Sequence, residues 1–460
     1  MSKSAVIVTD IGYGDAGKGT TVDYLVRQTP SAVVIRHNGG AQAAHNVITP
    51  DGRHHTFAQF GSGSFVPGVR THLSQYMLVN PLNMFPEAEH LIELGITDIW
   101  ERTSVDRRAM IITPWHSSAN RLRELARGDS RHGSCGQGIG EAMADSIEQP
   151  ELTLHVGDLS RRDLETRLTA ARDYKVSQLQ QELGFTVTQS EEWQALTDPS
   201  LVDWIVDAYQ TWSSRVTVGD EDYLRCLERQ HNLLVFEGAQ GVLLDEWFGF
   251  HPYTTWSTTT HANALALLSD IQFDGEVTRL GVLRAYATRH GAGPFVTEAP
   301  SLAVPLREYH NDTSEWQGAF RYGHLDLLAH RYALAACGGT NELVVTGLDR
   351  LGALPELKAC NSYRLHGNHP DASKYFDLAD GNTVTGIKLG AQGDLDHQAR
   401  LTELLQSCSP LYQTMGTSPG LPKKESPSDF LQIVEASLGL PVTIASYGPT
   451  AVDKRALIAR

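Results

Sequence analysis

The chain has 460 residues, 41% hydrophobic and 20% charged, enough apolar material for one large core or two ordinary ones. A formal net charge of −16 argues against a nucleic-acid partner, since phosphate backbones are met by basic patches. No apolar stretch reaches membrane-spanning length, Met1-Ser2-Lys3-Ser4 runs into an apolar run without a signal-peptide core, and five cysteines form no CxxC pair, so a cytoplasmic protein with reduced thiols and no membrane partner is expected.

In chain order, Ala5-Val6-Ile7-Val8 reads as a buried strand and Thr20–Val26 as the start of a helix. Between them lies Gly12-Tyr13-Gly14-Asp15-Ala16-Gly17-Lys18-Gly19-Thr20, close to the phosphate-loop pattern of glycine, four residues, Gly-Lys, then Ser or Thr. Glycines let such a loop turn its N–H groups onto a phosphate, and the helix N-terminus adds a favourable field. Gly19 removes the hydroxyl that usually ligates Mg²⁺, and Asp15 places a carboxylate among phosphates. An anion there is repelled unless it binds the metal or takes a proton from the substrate.

Further β-branched runs follow at Ala32–Ile35, Asn232–Phe236, Arg279–Leu283 and Glu342–Val345. Residues 163–183 have helical spacing, with Leu164, Leu168, Ala171, Val176, Leu179 and Leu183 on one face. Alternating strands and helices predict an α/β fold, one large domain over 1–460 with a mainly parallel central sheet and a phosphate-loop-like strand–loop–helix at its N-terminus. Glycine-rich turns follow these strands, as expected for one composite site at their carboxyl ends. They are Arg36–Asn46, Phe236-Glu237-Gly238-Ala239-Gln240-Gly241, Ala285–Phe295, Thr346-Gly347-Leu348-Asp349 and Ser446-Tyr447-Gly448-Pro449.

Together, in this order, the motifs resemble the adenylosuccinate synthetase family. Its first loop, Gly-Asp-Glu-Gly-Lys-Gly-Lys, stands here as Gly14-Asp15-Ala16-Gly17-Lys18-Gly19-Thr20. Its Gly-Gly-His-Asn-Ala-Gly-His turn is Gly39-Gly40-Ala41-Gln42-Ala43-Ala44-His45, and its Gly-Thr-Thr-Gly-Arg-Gly-Ile-Gly segment is Gly133-Ser134-Cys135-Gly136-Gln137-Gly138-Ile139-Gly140. Glu-Gly-Ala-Gln-Gly and Thr-Arg-x-Gly-Ala-Gly-Pro-Phe are intact, and Val156-Gly157-Asp158-Leu159 and Pro410–Met415 have counterparts. The resemblance implies a cytoplasmic homodimeric ligase of purine biosynthesis, taking GTP, a purine nucleoside monophosphate (inosinate) and aspartate with Mg²⁺. It implies Asp15 as base and metal ligand, His45 as general acid, Gln240 on the purine or transferring group, and the Ala44 carbonyl as a second metal ligand. Gly14 to Thr20 would hold the triphosphate, and Gly347, Leu348, Asp349, Ser446, Tyr447 and Gly448 its base. Asp15, Lys18, Gln42, His45, Cys135, Gln240 and Thr255 would surround the acceptor nucleotide.

The departures cluster at the substrate periphery. The family's arginine run before Thr-Gly-Trp-Leu-Asp corresponds to Asn311–Asp326, which keeps one arginine, Arg321, as the candidate contact for the amine donor. Ser146-Ile147-Glu148-Gln149-Pro150-Glu151 lacks the arginine that the family lends to a neighbouring subunit, Cys135 and Gln137 replace a Thr and an Arg, and Gly347 replaces a Lys. The Trp-Gln-Gly-x-Phe-Arg stretch is more similar to phage-type relatives that aminate 2′-deoxyguanylate. Two alternatives therefore stand beside the main reading: the same chemistry on another purine monophosphate or amine, and a non-catalytic nucleotide-binding regulator.

Overall fold

The structure, a computed structural model, describes residues 3–29, 31–128, 134–183, 190–308, 318–354, 356–415 and 428–457. Gly133 and residues 311–317 of the expected amine-donor loop lie outside the described residues. Ten strands form the central sheet: β1 (Ser4–Asp10), β2 (Ala32–Arg36), β3 (Arg70–Leu73), β4 (Thr103–Asp106), β5 (Thr217–Gly219), β6 (Leu233–Gly241), β7 (Glu276–Arg284), β8 (Glu342–Thr346), β9 (Val442–Ser446) and β10 (Lys454–Ala456). Across the sheet they run β10-β9-β8-β7-β1-β6-β2-β3-β4-β5. Neighbours are parallel except β10, which closes the edge antiparallel to β9. The mainly parallel α/β sheet expected from the apolar runs is present.

Those runs read as continuous because both faces are covered. Successive residues of β1 point to opposite layers: Ala5 and Ile7 join Leu234, Phe236 and Leu267, while Val8 joins Val235 and the Val22 and Val26 of α1 (Lys18–Arg27). A helical layer holds α2 (Pro114–Arg127), α3 (Ile139–Glu148) and α4 (Leu164–Leu183) around Trp115, Leu168, Leu179 and Trp212. The helix expected over 163–183 is α4, with Leu164, Leu168 and Leu179 buried; Lys175 is buried with them at 1% exposure, which apolar spacing did not anticipate. The sequence reading also missed a five-stranded, largely antiparallel sheet built on Lys358–Leu365, against which α5 (Leu327–Ala336) packs. Pro410–Thr414 belongs to its Cys408–Thr414 strand, whose polar and bulky residues alternate too weakly to announce it. All five cysteines are free, and among the described residues no helix is long and apolar enough to cross a membrane.

Every glycine-rich turn emerges at the carboxyl edge of the sheet, the loop after β1 lying between the ends of β6 and β7. Gly241 shows how closely. A Cβ there would clash with both the Gly12 carbonyl oxygen and the Gly14 nitrogen, so only glycine lets the loop after β1 lie across the end of β6. Gly241→Ala is expected to destabilise the fold by about 1–3 kcal/mol, the usual cost of overpacking, and to abolish nucleotide binding. Denaturant unfolding together with nucleotide titration checks both effects.

Candidate active site

β1 ends in Asp10, a residue to which the sequence reading gave no role. Its carboxylate accepts the N–H of Gly12 (2.8 Å) and of Ala16 (2.9 Å) and holds Lys18 Nζ at 3.1 Å, with both side chains buried. The Thr346 hydroxyl at the end of β8 donates to the Ala16 carbonyl (2.7 Å), and Arg284 at the end of β7 donates to that of Asp15. Gly17, in the left-handed region, then opens α1 and points its first N–H groups into the loop.

Asp15 and Gln240 both have φ 58°, a conformation that non-glycine residues adopt at some cost and that recurs at functional sites. Asp15 Oδ2 lies 3.3 Å from His290 Nε2, the variable position of the Thr-Arg-x-Gly segment. Burial acts to raise the Asp15 pKa, but the hydrogen bond and charge of His290, helped by Arg284 and Lys18, outweigh it and hold the group down at about 2. Asp15 is therefore an anion across the physiological range. Arg284 is itself paired with Glu308, which also accepts from the Tyr286 hydroxyl (2.9 Å).

His45 opens a short strand, His45–Ile48, and leans on the first turn of α1. A Cβ on Gly19 would lie 2.7 Å from His45 Cβ and 2.9 Å from Ser62 Oγ, so position 19 is glycine to admit the histidine rather than to spare a hydroxyl. His45 Nδ1 bonds Glu237 Oε1 at 2.6 Å. Glu237 also accepts the Ser62 N–H at 3.0 Å and the Ser62 hydroxyl. Burial raises the Glu237 pKa, yet His45, Arg36 and Ser62 outweigh this and hold it down at about 2; burial keeps His45 neutral against the pull of that carboxylate. An ionised Glu237 fixes the tautomer with Nδ1–H donated inward, which leaves Nε2 for a ligand.

Beside this pair opens a cleft of about 440 Å³ lined by Gln42, Cys135, Gln240 and Thr255, all expected acceptor contacts, with Arg289 and His290. Both amide atoms of Gln42 and Oε1 of Gln240 are buried without a protein partner, as befits groups that await a ligand. Burial pushes the Cys135 thiol up, so it is neutral, and Gln137 spends its amide oxygen on Asn83 Nδ2 (2.9 Å). The far wall carries charges that sequence reading missed. Lys175 Nζ lies 2.6 Å from Asp145 and 3.2 Å from Glu141, Arg123 is paired with Glu141 and Glu182, and Arg127 with Glu124 (2.5 Å).

The expected base loop gathers at the ends of β8 and β9. Gly347 opens the turn Leu348–Ala353 with Asp349 exposed at its start, and the Ser446 hydroxyl donates to the Gly448 carbonyl (3.0 Å). Thr20 reaches this loop, its hydroxyl donating to the Pro449 carbonyl at 2.9 Å.

Arg321 differs from expectation. Its Nε donates to Glu298 (2.9 Å), its Nη2 to the same carboxylate, and its Nη1 to the carbonyls of Gly291 (3.0 Å) and Gly293 (3.1 Å). The guanidinium is therefore an occupied brace between neighbouring segments and not a free cation, because Glu298 lies across from it. Nothing local in the sequence pairs residues 298 and 321. Glu237 and Asp10 were within reach of sequence reading, since each is a carboxylate at the end of an apolar strand directly before a glycine turn.

The Glu237 pKa of about 2 lies below the unfolded value of about 4.3, so its stabilising contribution is complete above that value and is lost as pH falls toward 2. Wild-type melting temperature should drop through that window, and Glu237→Gln should drop less steeply; a pH series of thermal melts checks this.

A family model described as adenylosuccinate synthetase matches residues 7–454. The adenylosuccinate synthetase of Clostridium novyi is 32% identical over 371 residues, covering 79% of this chain and 82% of the relative. The fully ligated Plasmodium falciparum adenylosuccinate synthetase shares the fold with a TM-score of 0.76 at 20% identity, covering 98% of this chain and 99% of the other. A cyanophage S-2L succinoaminodeoxyadenylate synthetase, bound to dGMP and to dATP as an energy donor, also shares the fold, at TM-score 0.59 and 17% identity over 99% and 96%. With the family model spanning almost its whole length, this chain belongs to the adenylosuccinate synthetase family.

Proposed function

We propose that the chain joins aspartate to inosinate at the expense of GTP, giving N6-succinyl-AMP, GDP and phosphate. The observation that carries this reading is the convergence on one phosphate loop of a strained, ionised Asp15, the His45–Glu237 pair and the unpartnered amide oxygen of Gln240. A 6-oxopurine oxygen is a poor nucleophile while N1 keeps its proton. Asp15 takes that proton, O6 attacks the γ-phosphorus, and the bond to the β-bridging oxygen breaks. The aspartate amine then adds at C6, and O6 leaves with the phosphate. The charge of the bound triphosphate, added to that of Glu237, favours protonation of His45 at Nε2, and the resulting imidazolium donates to the phosphoryl oxygens as their charge develops while α1 presents its N–H groups to the same charge.

Asp15 offers one carboxylate and Ala44 one carbonyl, hard oxygens that fit Mg²⁺ if the remaining positions are filled by phosphate oxygens and water. Bound there, the ion would neutralise phosphate charge and orient the γ-phosphoryl group. Asp15→Asn keeps the volume but removes the base and a metal charge. It should abolish turnover while nucleotide still binds; turnover within about tenfold of wild type, some 1.4 kcal/mol of barrier, would remove Asp15 from this role. His45→Ala should lower turnover by roughly 10² to 10⁴ at an unchanged fold, checked by stopped assays beside thermal melts.

Asp349 can accept from guanine N1–H and N2–H₂ together, whereas adenine presents an acceptor at N1. GTP should outperform ATP, with Asp349→Asn eroding the preference; equal rates with ATP in the wild type count against this base site. The acceptor phosphate meets neutral donors, Gln42 and Thr255, and a wall whose Arg123, Arg127 and Lys175 already carry carboxylates. Neutral hydrogen bonds are worth about half of charge-assisted ones, so a high Michaelis constant for inosinate is expected. Titrating a panel of purine monophosphates, a guanylate included, under saturating GTP and aspartate measures it. On the amine side, the aspartate carboxylate displaces Glu298 from Arg321. Glu298→Gln should therefore lower the Michaelis constant for aspartate.

A further inference from the structure

Thr20 stands where the resembling loops carry a second lysine. The structure brings an ammonium to this point from the other end of the chain. Lys454, the first residue of β10, is 6% exposed, with Nζ 2.5 Å from Thr20 Oγ1 and 3.2 Å from the Thr450 carbonyl. Both partners are neutral oxygens. The nearby carboxylates do not reach it with a hydrogen bond: Asp453 accepts the N–H (2.9 Å) and hydroxyl (2.6 Å) of Thr450, and Asp23 accepts from Arg27 through Oδ2 (2.8 Å) while its Oδ1 is buried without a partner.

Two physical arguments make this an unusual place for a lysine that only ties loops together. A buried ammonium bonded to a hydroxyl and a carbonyl alone keeps most of its desolvation penalty. Thr20 is also the third residue of α1, so the charge sits at a helix N-terminus, where the backbone field favours anions and opposes cations. Lys18 in the same turn is balanced by Asp10; among the described residues Lys454 has no such direct partner. An anionic ligand on the loop would relieve both costs.

We propose that Lys454 supplies to a bound nucleoside triphosphate the cation that α1 lacks at Thr20, and couples the phosphate loop to the base loop by the same contact. The proposal rests on reading Gly14–Thr20 as the triphosphate loop. Burial draws the Lys454 pKa down to about 8, against Asp23 of α1, Asp453 of the preceding turn and Asp349 after β8, which all act to raise it. The ammonium is thus charged below that pH and loses its proton above it.

The test is calorimetric titration of the full chain with GTP and Mg²⁺, without acceptor or aspartate. Lys454→Met should weaken GTP binding at least tenfold. Adding Thr20→Lys to Lys454→Met should bring affinity back to within about threefold of wild type, a rescue that a purely structural tie would not allow. Wild-type affinity should fall between pH 7 and 9, and Lys454→Arg should remove that fall. GTP affinity of Lys454→Met within twofold of wild type overturns the proposal, as does a folded double variant without recovery. Should Lys454→Met fail to fold, the pH series decides: a wild-type affinity flat from pH 7 to 9 overturns it. A wild-type chain that binds no GTP at all instead overturns the reading of the loop.

Discussion

The site is organised by the Asp10 carboxylate at the end of the central strand. It takes up two loop N–H groups and the Lys18 ammonium in a buried setting, so the loop after β1 has a single shape before any ligand arrives. Removing one member of such a buried pair typically costs 3–5 kcal/mol because the other is left uncompensated. Thr346 from β8, Arg284 from β7 and Gly241 of β6 all bear on this preformed loop. Its position therefore fixes where Asp15 and Gln240 can stand.

The electrostatics follow from that arrangement. Glu237 is buried and Asp15 half-buried, and both are kept ionised by specific partners, His290 and Arg284 for Asp15, His45, Arg36 and Ser62 for Glu237. Asp15 stands in the open loop beside His290, and Glu237 holds a histidine in one tautomer. Two carboxylates of similar acidity thus stand in different surroundings through their neighbours.

The periphery has been rebuilt along a different line. In the family pattern, cations meet the acceptor and the amine donor. Here Arg321 is spent on Glu298, and the helical wall pairs Arg123, Arg127 and Lys175 with acids of its own. Such a wall is well organised and close to neutral, and it leaves the Gln42 amide, Gln240 Oε1 and His290 Nδ1 as buried cleft atoms without a protein partner among the described residues.

Much of the architecture was legible in the chain alone. Buried parallel strands announce themselves as apolar β-branched runs, and a phosphate loop must carry glycines at fixed offsets, so β1, β2, β6, β7, β8, α1 and the loop were readable because their causes are local in sequence. Asp15, His45 and Gln240 could be nominated for the same reason, each being part of a short ordered motif. What tertiary structure alone decided involves partners far apart along the chain. His290 on Asp15, Glu298 on Arg321, Lys175 among Glu141 and Asp145, and Lys454 on Thr20 join residues whose spacing carries no period and no motif. Whether a charged side chain is free for a ligand or already spent depends on what the fold sets opposite it, and that is settled only when distant strands and helices are brought edge to edge.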